Sequence, residues 1–390
     1  MKDILISSFD LEIGGVERSL ISMLDKFDYK NYNVDLMLYS HTGEFMQFLS
    51  NNKYNLLPES KYYKTYRMPI SEIFRNKQFK IGMKRLKARM KSKGNGIAQM
   101  QYIWKYTLPY MPKLNKKYDV AISYLWPHYF VSEKVDADTK IAWIHTDYSK
   151  IETNIDMDLE MWNKFDYIVA VSKECKNAFL LKYPSLDKKM IVIENITSPE
   201  FIKKQSLEKE HDFKKEEGIF KLLSVGRFSE AKGFDNAIKA LRIIHDRGYT
   251  NVKWYIVGYG GDEALLEHLI KENNLEGKFI LLGKRTNPYS YINQCDLYVQ
   301  PSRYEGKAVT VTEAQILGKA VMITNYVTAN SQVINGYDGY ITDLSIEGIA
   351  DGVEKLYKDS KLRGILEKNC TKTDYENKIE LKKLYELLKK

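Results

Sequence analysis

A chain of 390 residues is larger than one hydrophobic core usually organises, so two domains of a little under about two hundred residues each are expected. Hydrophobic residues make up 44% and aromatic ones 13%, which excludes disorder for the bulk of the chain, and no apolar run is long enough for a membrane span. The formal net charge is +9, yet residues 61–93 hold twelve Lys and Arg against the single acid Glu72, so the excess is a local patch.

The first strand is expected at Ile4–Ser8, directly after the N-terminus and without a signal-type apolar core, which points to a cytoplasmic chain. Cys175, Cys295 and Cys370 are odd in number and lack metal-type spacing, so they read as reduced, buried thiols. After the first strand comes Asp10 to Leu20, with Gly14-Gly15 before a helix expected to open at Val16. Such a helix start suits an anion or an acceptor group, although two glycines before a helix are also common turn chemistry. The next strand is Val34–Tyr39. The basic amphipathic segment 61–93 follows, with Phe79, Met83, Leu86 and Met90 spaced as one narrow apolar stripe on a cationic helix. This pattern suits an anionic membrane surface, and equally a solvated helix that docks its stripe on its own domain; a nucleic-acid partner is not expected. Further strands are expected at Val120–Tyr124, Ile141–His145, Tyr167–Ser172 and Met190–Glu194, and the charged stretch Ser198–Lys215 reads as a linker.

The second half repeats the alternation, with strands at Lys221–Gly226, Lys253–Gly258, Phe279–Gly283, Leu297–Pro301, Ala320–Thr324 and Tyr340–Thr342, and consecutive helices from Ile346 to the end. The fold class is therefore α/β with two Rossmann-like parallel sheets: domains at 1–200 and 201–370, and a last helix, 371–390, placed to pack back on the first domain. In such sheets ligands bind outside the carboxyl ends of strands. Two stretches there carry chemistry. Arg227 and Lys232 flank a loop after Gly226 and suit one diphosphate, or are simply solvated cations. Glu305, Gly306 and a helix expected to start near Lys307 offer a carboxylate and free amides; Glu313, eight residues on, would share a helix face about 12 Å away.

The set, comprising Gly14-Gly15 with Val-Glu-Arg after it, Val225-Gly226-Arg227, Lys232-Gly233, Val257-Gly258 and Glu305-x7-Glu313, resembles glycosyltransferase family 4, with GT-B architecture, of the kind found in bacterial surface polysaccharide or glycolipid biosynthesis. The resemblance implies two domains facing each other across a cleft, and transfer with retention of a hexose or N-acetylhexosamine from a nucleoside diphosphate sugar, expected to be a UDP-sugar. The acceptor would be a glycan or a lipid-linked intermediate at the inner face of the cell membrane. No cofactor and no metal are required. It further implies that Arg227 and Lys232 hold the diphosphate, that Glu313 binds the ribose, and that Glu305 with the amides of Gly306, Lys307, Ala308 and Val309 addresses the sugar. Gly15, Gly258, Lys284 and Arg285 complete the donor set. His145 is the implied catalytic histidine, facing the sugar from the first domain and the acceptor with it. Gly14 in its loop and Trp126, His128 and Tyr129, after the strand ending at Tyr124, are expected acceptor contacts from their positions alone. Lys307 and Ala308 stand where an aromatic residue and a glycine are more usual, which leaves the donor sugar open.

Rival readings are weaker. A metal-dependent transferase would place Asp-x-Asp after a strand, but Asp156-Met157-Asp158 reads as a helix start. A dinucleotide oxidoreductase would want a third glycine where Glu263 stands after Gly258-Tyr259-Gly260-Gly261. A sugar-nucleotide epimerase and a non-catalytic membrane- or polyanion-binding scaffold are the remaining alternatives.

Overall fold

The structure, a computed structural model, describes residues 1–49, 53–66, 68–92, 96–146, 148, 151–208, 213, 216–305 and 307–389, with only the backbone of 96–98. Two compact units divide the chain: Met1–Ile196 together with Lys378–Lys390, and Thr197–Asn377.

The first unit is built on strands β1 (Lys2–Ser8), β2 (Tyr32–Leu38), β3 (Asn55–Leu56), β4 (Lys117–Ser123), β5 (Asp136–Ile144), β6 (Tyr167–Ala170) and β7 (Met190–Val192). They form one parallel sheet in the order β3-β2-β1-β4-β5-β6-β7. Its helices are α1 (Gly15–Lys26), α2 (Ile70–Arg75), α3 (Phe79–Lys91), α4 (Gly96–Thr107), α5 (Tyr129–Lys134), α6 (Ile155–Trp162) and α7 (Lys173–Lys182). The three helices α2 to α4 interrupt the crossover from β3 to β4. The strand order reverses between β1 and β4, so the loops after these two strands diverge and open a crevice at the sheet's carboxyl edge. A core of Trp104, Trp162, Phe130, Tyr39 and Tyr118 lies under the sheet.

The second unit begins earlier than the charged composition of Ser198–Lys215 suggests. Ser198 caps α8 (Pro199–Gln205) by accepting from the Phe201 amide, and Ile202 and Phe213 are buried in the unit's core. Two apolar anchors thus place residues 198–208 and Phe213, in a stretch read as a linker, within the folded unit. Strands β8 (Phe220–Val225), β9 (Val252–Val257), β10 (Phe279–Gly283), β11 (Leu297–Gln300), β12 (Val321–Thr324) and β13 (Tyr340–Thr342) form a parallel sheet in the order β10-β9-β8-β11-β12-β13. Every residue of β8 is buried, as a parallel strand covered on both faces requires. Helices α9 (Phe234–Asp246), α10 (Glu263–Glu272) and α13 (Ile346–Lys358) pack one face around Trp254 and Leu241. Helices α8, α11 (Tyr289–Gln294) and α12 (Val309–Ile316) cover the other around Tyr291 and Tyr298. Here the order reverses between β8 and β11. After α14 (Ser360–Lys372), the last helix α15 (Lys378–Lys389) belongs to the first unit. There Tyr385 stacks on Tyr32 at 5.6 Å, its hydroxyl accepts from the Asp28 amide at 2.8 Å, and the Leu388 carbonyl accepts from Lys2.

Candidate active site

The β8 and β11 loops flank the switch point of the second sheet and are stitched together by backbone. The Arg303 amide donates to the Ala231 carbonyl at 2.8 Å. Gly233 turns with φ of +64°, and a Cβ there would lie 2.1 Å from the Pro301 carbonyl oxygen. At the end of β9, a Cβ on Gly258 would lie 1.9 Å from the Gly226 carbonyl oxygen, so that glycine is needed for close approach of two strand ends. Arg303 then clamps the assembly: its guanidinium is bidentate on Asp235, at 2.7 and 2.6 Å, and also donates to the Glu230 carbonyl. Burial works to raise the pKa of Asp235, but the Arg303 hydrogen bonds and charge outweigh it and hold the carboxyl below its usual range.

Within this frame Lys232 meets Glu305. Nζ lies 2.6 Å from Oε1, and the same oxygen accepts from Ser302 Oγ at 2.6 Å and Gln300 Nε2 at 3.2 Å. Thr328 Oγ1 donates to the Glu305 carbonyl at 2.9 Å. A cation after β8 and an acid after β11 are therefore one largely buried polar unit. Arg227, five residues before Lys232, is exposed.

Glu305 and Glu313 do not share a helix face. Helix α12 starts at Val309, with Ala308 as its N-cap, so Glu305 sits in the loop before it and Glu313 in its second turn. The start of the helix is fixed by Gln332, whose Oε1 accepts from the Ala308 amide at 3.2 Å and whose amide nitrogen donates to the Ala308 carbonyl. Glu313 is 1% exposed and its Oε1 accepts from the Tyr289 hydroxyl at 3.1 Å. Lys307 is exposed and Val309 half-buried, while Gly306 lies outside the described residues. Beyond β10, Lys284 lies over the Tyr259 ring at 5.4 Å, and Arg285 Nε donates to the Tyr291 hydroxyl at 2.8 Å.

In the first unit, Gly14 is the N-cap of α1 and Gly15 its first residue, one position before the expected opening. His145 follows β5. Its Nε2 lies 3.0 Å from the Tyr124 carbonyl oxygen, which can only accept, so Nε2 carries the proton. Burial pushes this imidazole down to about 3 against the pull of that carbonyl, so the ring is neutral; among the described residues Nδ1 has no hydrogen-bond partner. His128 and Tyr129 correct the expectation of acceptor contacts. His128 is 2% exposed with Nδ1 2.8 Å from Ser123 Oγ, and Tyr129 is buried with its hydroxyl on Asp158. Both are spent inside the core by their aromatic bulk, and of the three residues proposed from this loop only Trp126 keeps partial exposure. Asp158 also accepts from Gln101 and the Tyr183 hydroxyl, and Asn154 caps α6, so Asp156-x-Asp158 is a helix start and not a metal motif. Among the described residues no group of three or more His, Cys, Asp or Glu side chains is gathered to hold a metal ion.

Sequence reasoning missed Arg303, Ser302, Gln300, Thr328 and Gln332. The one available signal was the acid Asp235 in the first turn of a helix, which invites a basic partner.

Comparison with known proteins matches residues 205–373 to the family of glycosyl transferases group 1. The capsular polysaccharide biosynthesis glycosyltransferase CapM of Staphylococcus aureus is 29% identical over 234 residues, 57% of this chain and 60% of that protein. An uncharacterized glycosyltransferase of Methanocaldococcus jannaschii, MJ1069, is 31% identical over 56% of each chain, so the match spans little more than half the length of these curated relatives. An N-acetylgalactosaminyltransferase of Campylobacter jejuni, whose name specifies a diphospho-undecaprenol acceptor, is 32% identical over 39% of this chain and 41% of its own. Among solved structures, a point mutant of TarM of S. aureus with UDP bound superimposes with a TM-score of 0.69 at 14% identity over 100% of both chains. HepE of Anabaena, with UDP and glucose, gives 0.66 at 16% identity, again over 100% of both. At such identities the likeness establishes the fold, the two-domain Rossmann-like GT-B architecture.

Proposed function

From the match of residues 205–373 to the glycosyl transferases group 1, we propose that the whole chain is a retaining, metal-independent glycosyltransferase. It moves a hexose or N-acetylhexosamine from a UDP-sugar to a glycan or lipid-linked acceptor, presented at the inner face of the cell membrane, in surface polysaccharide assembly. The observation that carries this reading is the Lys232–Glu305 pair, 2.6 Å apart at the switch point of the second sheet, where doubly wound sheets bind nucleotides. UDP in the HepE and TarM complexes supports the choice of base, and the CapM and C. jejuni names support the class of acceptor.

The chemistry follows from charge. As the anomeric bond breaks, the departing diphosphate gains negative charge, and preset donors at that position lower the barrier more than they aid substrate binding. Arg227, Lys232 and the first amides of α12 supply those donors. Glu305, held by four side-chain hydrogen bonds to its carboxylate and carbonyl, is rigid enough to fix a sugar hydroxyl. Buried Glu313 takes the ribose hydroxyls. His145, neutral and able to accept at Nδ1, is the group of the first unit assigned to catalysis. The acceptor proton leaves on a donor phosphate oxygen, during attack from the same face.

A panel of nucleotide sugars incubated with purified protein and membrane lipid extract tests the proposal, with nucleoside diphosphate release and the anomeric coupling constant of the product as readouts. An α-linked product from an α-linked donor is expected. Release from none of the donors, an inverted product, or epimerised sugar without acceptor would each reject it.

A further inference from the structure

Helix α3 presents two unlike faces. Ile81, Gly82 and Ala88 are buried, and Arg85 points inward to donate to the Thr65 and Met68 carbonyls. Burial lowers the pKa of that guanidinium, as expected for a charge used as an internal clamp. The opposite side carries the apolar stripe, and it is not docked: Phe79 is 59% exposed, Met83 61%, Leu86 39% and Met90 76%. At 100° per residue the four lie within about 60° of arc. Exposed Lys80 and Lys87 border the stripe on one side, with exposed Lys91 beyond them, and exposed Arg89 borders it on the other. The helix contains no acid.

We propose that the outward face of α3 is a membrane-docking surface, Phe79, Met83, Leu86 and Met90 entering the interfacial layer while Lys80, Lys87, Arg89 and Lys91 meet anionic lipid headgroups. The inference rests on the reading of a membrane-presented acceptor for its purpose, whereas the binding itself needs neither donor nor acceptor. Charge selects the occupant. A second copy of the same face would set cation against cation, and a soluble polyanion would have no use for four bare apolar side chains. An anionic bilayer meets both, the cations by attraction and the stripe by burial. Lys87 lies over the Tyr106 ring at 5.0 Å and Lys84 over Tyr110 at 5.7 Å, so aromatic groups of and after α4 steady the cationic rim.

Cosedimentation of the full chain with phosphatidylcholine vesicles, with and without phosphatidylglycerol, tests the surface, using two variants. One carries Lys80→Gln, Lys87→Gln, Arg89→Gln and Lys91→Gln; the other Phe79→Ser, Met83→Ser, Leu86→Ser and Met90→Ser. Binding to anionic vesicles alone is expected for the parent, weakened roughly fivefold for each cation removed. Loss is expected for the stripe variant too, with unchanged thermal melting, unchanged heparin binding and unchanged slow hydrolysis of a soluble donor. Equal sedimentation with both vesicle types, or none with either, overturns the proposal. So does a stripe variant that binds anionic vesicles like the parent, since the patch would then read charge only, and so does a parent dimer that the stripe variant abolishes. If vesicle binding follows the expected pattern while no nucleotide sugar is turned over, the docking surface stands and the glycosyl-transfer reading fails.

Discussion

A methyl group on Gly233 would stand 2.1 Å from the carbonyl oxygen of Pro301, at a residue whose φ is +64°. Two loops from strands far apart in the chain therefore meet at a point where no side chain fits, and Lys232 and Glu305 are delivered to each other by that contact. Gly233→Ala is expected to cost about 1–2 kcal/mol for the left-handed backbone, and more for the displaced Pro301 peptide. Denaturant unfolding and nucleoside diphosphate titration measure it; a variant with parental stability and parental affinity would detach this contact from the site.

Lys232 and Arg227 are expected to part company in stability and agree in rate. Removing a donor to developing charge typically costs about 3–4 kcal/mol, so Lys232→Ala and Arg227→Ala should each lower kcat roughly a hundredfold or more. Lys232→Ala also leaves Glu305 largely buried without its cation, which should destabilise the fold by about 1–3 kcal/mol, while exposed Arg227 should leave it within about 0.5 kcal/mol. Lys232→Ala combined with Glu305→Gln should recover part of the lost stability but none of the rate. Steady-state kinetics with parallel melting curves decide it, and near-parental kcat in both single variants removes the phosphate clamp.

Glu313→Gln should weaken binding of free nucleoside diphosphate and intact donor alike by about 1–3 kcal/mol, because an ionised acceptor of two hydroxyls becomes an amide. Tyr289→Phe, which removes the hydroxyl at 3.1 Å from Oε1, should act in the same direction and more weakly. Calorimetric titration reads both; normal nucleotide affinity in Glu313→Gln would end the ribose assignment.

Acid should destabilise the first unit through its histidines. Burial, with His145 as a neighbour, pushes His128 down to about 3, so below about pH 6.5 the unfolded chain binds a proton that the folded one refuses. The folded pKa being the lower, stability is full above the unfolded pKa and falls by up to about 1.4 kcal/mol per pH unit below it, from this residue alone. Urea unfolding between about pH 7 and 5 should show a shallower decline in His128→Gln than in the parent; identical slopes would mean that His128 protonates without unfolding.

The strands were legible in the sequence because a parallel strand covered on both faces is a continuous apolar run; β3, two residues long, has no room to display a pattern. The site was legible as separate motifs and not as an assembly. Lys232 and Glu305 are 73 residues apart, and only the strand order that makes β8 and β11 neighbours brings them within a hydrogen bond. The Glu305-x7-Glu313 spacing suggested one helix because the residue types before Val309 are compatible with either helix or loop, whereas α12 begins only at Val309. Ser198–Lys215 misled through composition, its many charges concealing Ile202 and Phe213. On α3 the stripe was visible and its direction was not, since Ile81 and Ala88 make the opposite side apolar as well.

The return of α15 to the first unit bears on the order in which the protein takes shape on the ribosome. Tyr385 covers Phe27 and Tyr32, so the first unit's sheet stays partly uncovered until α15 emerges, whereas Thr197–Asn377 is contiguous and precedes that helix in the chain. The half synthesised first is therefore the half finished last. During that interval the apolar flank around Tyr32 is the surface through which a nascent chain would aggregate or be held by a chaperone.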